Sequence, residues 1–261
     1  MKDRITLPVL KDNSSIYSRS KANGLLSSEV LFDTVTSPDF HQIMEQTKRS
    51  LDTVGTPDPL LARVLTEKGF NALPAQVSNT QYQMLITSGL SPIYRGVRKD
   101  DAIIDFASNP DMFVGKGLYC NGIYFMYGNP CPDGRHGDTS AKARASRYIQ
   151  IPQSVPNPKL QEHLKTYTNG QVIGAIVNPN ARIITIKDLI QLTSSIKQDV
   201  RLDKTISQEI KTKLLDLISQ DIAVVAAMEG YDIIDITTTK YYVVLNRGML
   251  IMNNDEVMKS R

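Results

Sequence analysis

The chain has 261 residues, 41% hydrophobic and 22% charged, and its 30 basic side chains nearly balance 27 acidic ones for a net charge of +3. That length and apolar content suffice for one large domain with a sizeable core. The near-neutral balance gives no electrostatic reason to expect a nucleic-acid partner, and no run approaches the ~18 apolar residues of a membrane helix.

Residues 1–36 are rich in Ser, Asn, Lys and Asp with scattered apolar anchors, which predicts a wrapping extension, and MKDRITLPVLKDNSS has no apolar leader core. A cytoplasmic protein without a membrane partner is expected. Ser37-Pro38 opens a helix in which Phe40, Ile43, Met44 and Leu51 keep helical spacing. A second helix runs from Pro59 to Lys68 and stops at Gly69, and a third follows Ser78 and stops at Gly89. The pattern divides the chain into an N-terminal helical part, 1–70, and a larger domain, 71–261.

PIYRGV, residues 92–97, reads as a strand, and Lys99 to Ser108 as a helix stopped by Asn109-Pro110. From Val114 to Tyr148 the composition changes. Six of the 15 glycines fall here, with Tyr119, Tyr124, Phe125 and Tyr127 among them. Glycine lets backbone approach a flat ligand, and aromatic faces give stiff stacking surface. The same composition fits a glycine-rich surface loop. The stretch ends in a helix capped by Asp138 or Thr139 and running through Ala141, Ala143 and Ala145 to Tyr148.

QVIGAIV, 171–177, is a buried strand, followed by a short strand from Arg182 to Ile186. Helices are predicted over Lys187–Ser194, Ser207–Ser219 and Gln220–Glu229. Strands follow at 231–236 and 241–245 across the turn TTTK, with one more at Gly248–Met252. The order predicts an α+β protein with a mainly antiparallel sheet. Cys120, Cys131 and the three histidines, His41, His136 and His163, are too dispersed for a zinc site, so no metal is expected.

Arg95-Gly96 on a strand, Gly122-Ile123-Tyr124-Phe125 on the next, and a helix ending Ala145-Ser146-Arg147-Tyr148 follow one another in an order that resembles the ADP-ribosyltransferase superfamily. Phrases such as YRGV, GNGIYF and YYVVLNR are most similar to transferase domains of bacteriophage head proteins, and the likeness spans about residues 70 to 252. It implies a split antiparallel β-sheet core with flanking helices and an N-terminal helical layer. It also implies NAD as substrate, a host protein acceptor in the host cytoplasm, and carriage in the phage particle.

NAD pairs a cationic ring with an anionic diphosphate. The resemblance gives Tyr124 and Tyr148 the faces that sandwich the ring, Gly96 and Gly122 backbone that comes close to it, and Arg95 a bidentate grip on phosphate or ribose. The family's glutamate near the start of the last hairpin strand has no counterpart in residues 237–247. Lys240 or Tyr241 stands there, the nearest acids are Glu229 and Asp235, and Asn246 is the remaining group that could reach the ribose. Three readings stay open: mono-ADP-ribosyl transfer to protein, a binding or structural module without turnover, and NAD hydrolysis.

Overall fold

The computed structural model describes residues 29–51, 58–97, 102–109, 119–130, 139–149 and 170–259. Its strands are β1 (Ala75–Val77), β2 (Pro92–Val97), β3 (Ile123–Met126), β4 (Gln171–Val177), β5 (Ile183–Thr185), β6 (Ile233–Ile236), β7 (Tyr241–Val244) and β8 (Leu250–Asn253). The helices before the central strands are α1 (Glu29–Thr36), α2 (Phe40–Leu51), α3 (Pro59–Glu67), α4 (Asn79–Thr87) and α5 (Ala102–Ser108). The later ones are α6 (Ala141–Ile149), α7 (Ile186–Leu202), α8 (Gln208–Gln220), α9 (Ile222–Met228) and α10 (Asn254–Lys259).

The strands form one mixed sheet in the order β1-β8-β4-β2-β3-β7-β6-β5. Its centre is antiparallel, and each outermost pair, β1 with β8 and β5 with β6, is parallel. At the middle of the sheet the pairing thins. Strand β2 matches β4 over six residues, Pro92 to Val97, but meets β3 at Tyr94↔Met126 alone.

Side-chain alternation along the strands sorts the core. On one face Ile93, Phe125, Ile173 and Val244 pack against Phe106 of α5 and Val257 of α10. On the other, Ile184, Ile234, Ile236 and Val243 share a larger core with α1–α3 and α7–α9. The N-terminal helices therefore have no core of their own. A smaller cluster joins Val77, Ile176 and Ile251 to Tyr82 and Leu85 of α4, and α6 seats Ala141 and Ala145 on Met126.

Caps mark most helix starts. Asp58 accepts from Leu60 and Leu61 before α3, Ser78 and Gln81 form a capping box at α4, and Thr185, Ser207 and Asp221 cap α7, α8 and α9.

Several expectations need correction. Residues 29–36 form a helix rather than an extension, because Thr34 and Val35 bury completely. Helix α7 runs on past Ser194 to Leu202, since the added turns contain no breaker and Val200 reaches the core. Strand β1 and helix α10 appear where none was expected: three residues carry no periodic signal, and β1 exists through its partner β8. Much of the glycine-rich stretch, including Cys131, His136 and the expected cap Asp138, lies outside the described residues, as does His163.

The entry to β3 is fixed by buried polar contacts. Asn121 donates its backbone N–H to Asp221 Oδ2 at 2.8 Å and its Nδ2 to Asp58 Oδ2 at 2.7 Å, so one residue bridges two caps from α3 and α9. Asp221 spends its other oxygen on the Ala223 N–H at 2.7 Å. Burial, with Asp58 nearby, pushes the Asp221 carboxyl from its ordinary 3.8 up to about 6. A raised acid contributes stability in its neutral form, fully present below about pH 4 and lost as pH rises through about 6. The contribution is about 3 kcal/mol over that window. Unfolding midpoints measured from pH 8 to pH 5 should therefore rise more steeply for the native chain than for Asp221→Asn; parallel curves would contradict this account.

Candidate active site at the parting of β2 and β3

Past Tyr94 the two central strands diverge, and Arg95 spans the gap. Alternation puts its side chain on the face of Ile93 and Phe125, yet the guanidinium turns into the parting, where Nη1 donates to the Tyr124 carbonyl at 3.0 Å. Its buried Nε has no partner, and no carboxylate among the described residues pairs with it. Burial pulls its pKa down to about 10, which leaves it cationic at neutral pH. A guanidinium so placed, with donors unspent, is a seat for an oxyanion.

Helix α6 closes the other face of the parting. A Cβ built on Gly96 would stand 2.1 Å from the Ala145 carbonyl oxygen and 2.9 Å from Tyr148 Cβ, so glycine here is what lets the helix lie on the strand. Gly122 has a similar cause: at φ +146° a Cβ would meet Val243 Cγ1 at 2.4 Å. Both glycines answer to the protein's own packing before any ligand. Arg144 locks α6 down by donating to the carbonyls of Tyr127 and Thr239, each at 2.9 Å, and of Lys240 at 3.3 Å.

Tyrosines gather on the α6 side. The Tyr124 hydroxyl accepts from the N–H groups of Tyr119 and Cys120, both at 3.1 Å, and donates to the Cys120 carbonyl at 2.7 Å, thereby holding the loop that enters β3. Burial, and after it the nearby Cys120 thiol, raise its pKa against the opposing pull of the two N–H groups, and burial likewise raises the Cys120 thiol above its ordinary value, so neither is an activated nucleophile. Tyr148, at 53% exposure, stands at the C-terminal end of α6. Between these two lies Tyr241, the first residue of β7, with its ring edge-on to Tyr124 at 6.0 Å and a hydrogen bond to Tyr148. The Arg144 guanidinium sits 5.4 Å from the Tyr241 ring centre.

Arg95, Gly96, Tyr124 and Tyr148 thus meet at one parting, the arginine from one sheet face and the tyrosines from the other. Asn246 does not join them. Its Nδ2 donates to Asp232 Oδ1 at 2.8 Å and its Oδ1 accepts from the Gly248 N–H at 3.1 Å, so it forms the turn after β7 rather than reaching a ribose. The two acids nearest in sequence are also committed elsewhere. Asp235 accepts from the Tyr127 hydroxyl, and Glu229 faces Lys68 and Arg182. Lys240, at φ +56°, lies over Tyr127, which leaves Tyr241 at the start of the strand.

Sequence reading missed Arg144, whose role depends on a turn about a hundred residues away, and the bridge from Asn121 to Asp58 and Asp221. Of that bridge only the caps had a local signal, Asp58 before Pro59 and Asp221 before IAVVAAM. A concavity of about 330 Å³ lies elsewhere, between α2 and α8, lined by Phe40, His41, Met44 and Lys213 among others, and none of the site residues borders it. No family model, curated protein or solved structure matches the chain.

Two substitutions test this geometry. Gly96→Ala forces a methyl into the Ala145 carbonyl and should cost about 3 kcal/mol, read as a lower urea midpoint. Arg95→Met removes a buried charge that has no counter-charge among the described residues, and should leave the unliganded protein as stable as before or raise its stability by about 1 kcal/mol. A clear loss in Arg95→Met would make the guanidinium a structural strut instead of an anion seat.

Proposed function

We propose that the chain binds NAD at the parting of β2 and β3 and transfers its ADP-ribose to a protein acceptor, releasing nicotinamide. The observation that carries this reading is the Arg95 guanidinium, without a carboxylate partner among the described residues, set between diverging strands beside Tyr124 and Tyr148. In the proposed complex the diphosphate takes the free donors of Arg95, the backbone at Gly96 meets the carboxamide, and the ring lies against the tyrosines. Cleavage of the glycosidic bond proceeds through an oxocarbenium-like state, for which positioning supplies much of the rate. The proposed setting is the host cytoplasm, with carriage in a phage particle.

Tyr241 favours a second reading. It stands where the resemblance would place a carboxylate, and a phenol cannot offer negative charge to the ribose at neutral pH. A module that binds NAD and turns it over slowly or not at all fits that substitution.

Labelled NAD separates the two. Transfer of label to protein from a bacterial extract, with nicotinamide release cut about a hundredfold in Arg95→Met, supports the transferase. Thermal stabilisation by NAD that vanishes in Arg95→Met, without nicotinamide release, supports the binding module. Equal stabilisation of both proteins would remove Arg95 from the site and the proposal with it.

A further inference from the structure

Tyr241 has contacts that neither reading requires. Its ring stands edge-on to Tyr124 at 6.0 Å, bonds to Tyr148 and lies under the Arg144 guanidinium at 5.4 Å. Three groups from two elements, Tyr124 of β3 and Arg144 and Tyr148 on successive turns of α6, converge on one phenol. Its backbone cannot retreat, because Tyr241 pairs with Met126 on one side and Ile236 on the other. Arg144 is equally fixed by its three carbonyls. The movable parts are the Tyr241 side chain and the exposed Tyr148 that latches it.

We infer that Tyr241 plugs the ring-binding half of the site, so that the protein at rest accepts an ADP-ribose-like diphosphate more readily than a dinucleotide carrying a nicotinamide ring. This rests on the reading of the parting as a dinucleotide site. The anion half, at Arg95, has a buried Nε that no described residue takes, so a diphosphate that reaches the guanidinium through the parting displaces no side chain bonded to that nitrogen. The ring half is spent on the protein's own phenol. A ring enters only when the Tyr241 side chain rotates away and the bond to Tyr148 breaks, and the apparent affinity for the ring-bearing ligand falls by the fraction of molecules so opened. The cation–π contact with Arg144 holds the phenol in the closed position. Tyr241 is accordingly a specificity-determining residue whose effect falls on the ring and not on the diphosphate.

The test is calorimetric titration of NAD and of ADP-ribose into the full chain, into Tyr241→Ala and into Tyr148→Phe, with circular dichroism to confirm folding. Removal of the ring should tighten NAD by about tenfold while ADP-ribose changes little. Tyr148→Phe keeps every ring and removes the latching hydroxyl, so it should give a smaller gain of the same sign even if Tyr241→Ala folds poorly. If NAD binds but its affinity relative to ADP-ribose is the same in all three proteins, the plug is wrong and the dinucleotide site stands. If neither compound binds any of them, both inferences fall.

Discussion

At the middle of the sheet the pairing of β2 with β3 narrows to one residue pair, and a guanidinium crosses the gap beyond it. After Tyr94↔Met126 the two central strands share no further register, and Arg95 reaches the Tyr124 carbonyl across the gap. A pair of fully matched antiparallel strands would consume these backbone groups in a ladder and leave no room for a charged side chain. The separation thus creates the space, and the arginine, lacking a carboxylate, keeps it polar. An uncompensated buried cation costs stability. Such a cost persists in proteins where the charge has work to do on something other than the fold.

Around that gap the elements are held at close range by contacts of different kinds. Gly96 admits α6 at backbone distance, Arg144 ties α6 to the β6–β7 turn, and Tyr124 and Asn121 fix the approach to β3. Each uses a buried polar group or a missing side chain, and each leaves the exposed Tyr148 and the half-buried Tyr241 at the rim.

Strands and helices with continuous apolar runs or clean caps were legible in the sequence: β4 carries the boundaries its seven-residue run announced, and α8 begins at the serine that caps it. The parallel pairs at the sheet's ends were not. Pairing of β5 with β6 and β1 with β8 joins segments far apart in sequence and leaves no local trace. For the candidate site, residue identity singled out Arg95, Gly96, Tyr124 and Tyr148 as expectations, and the distribution of their bonds had no local trace. Asn246 had the right chemistry and the wrong neighbours, since a turn and Asp232 claim its carboxamide. Tyr241 was visible as a substitution, while its contacts with Tyr124 and Tyr148 depend on how α6 crosses the sheet.

The parallel pair at one edge also governs how the chain can be made. Ala75 of strand β1 pairs with Ile251 of β8, so β1 is made long before its hydrogen-bonding partner. Until β8 is made, β1 has no strand to pair with, α4 has Ile176 but not Ile251 to pack on, and β4 lacks one of its two neighbours. Such long-range closure is slow and leaves nascent strands open to wrong partners. Until β8 is in place, the open edge of β4 is thus the surface on which a stray strand would pair first.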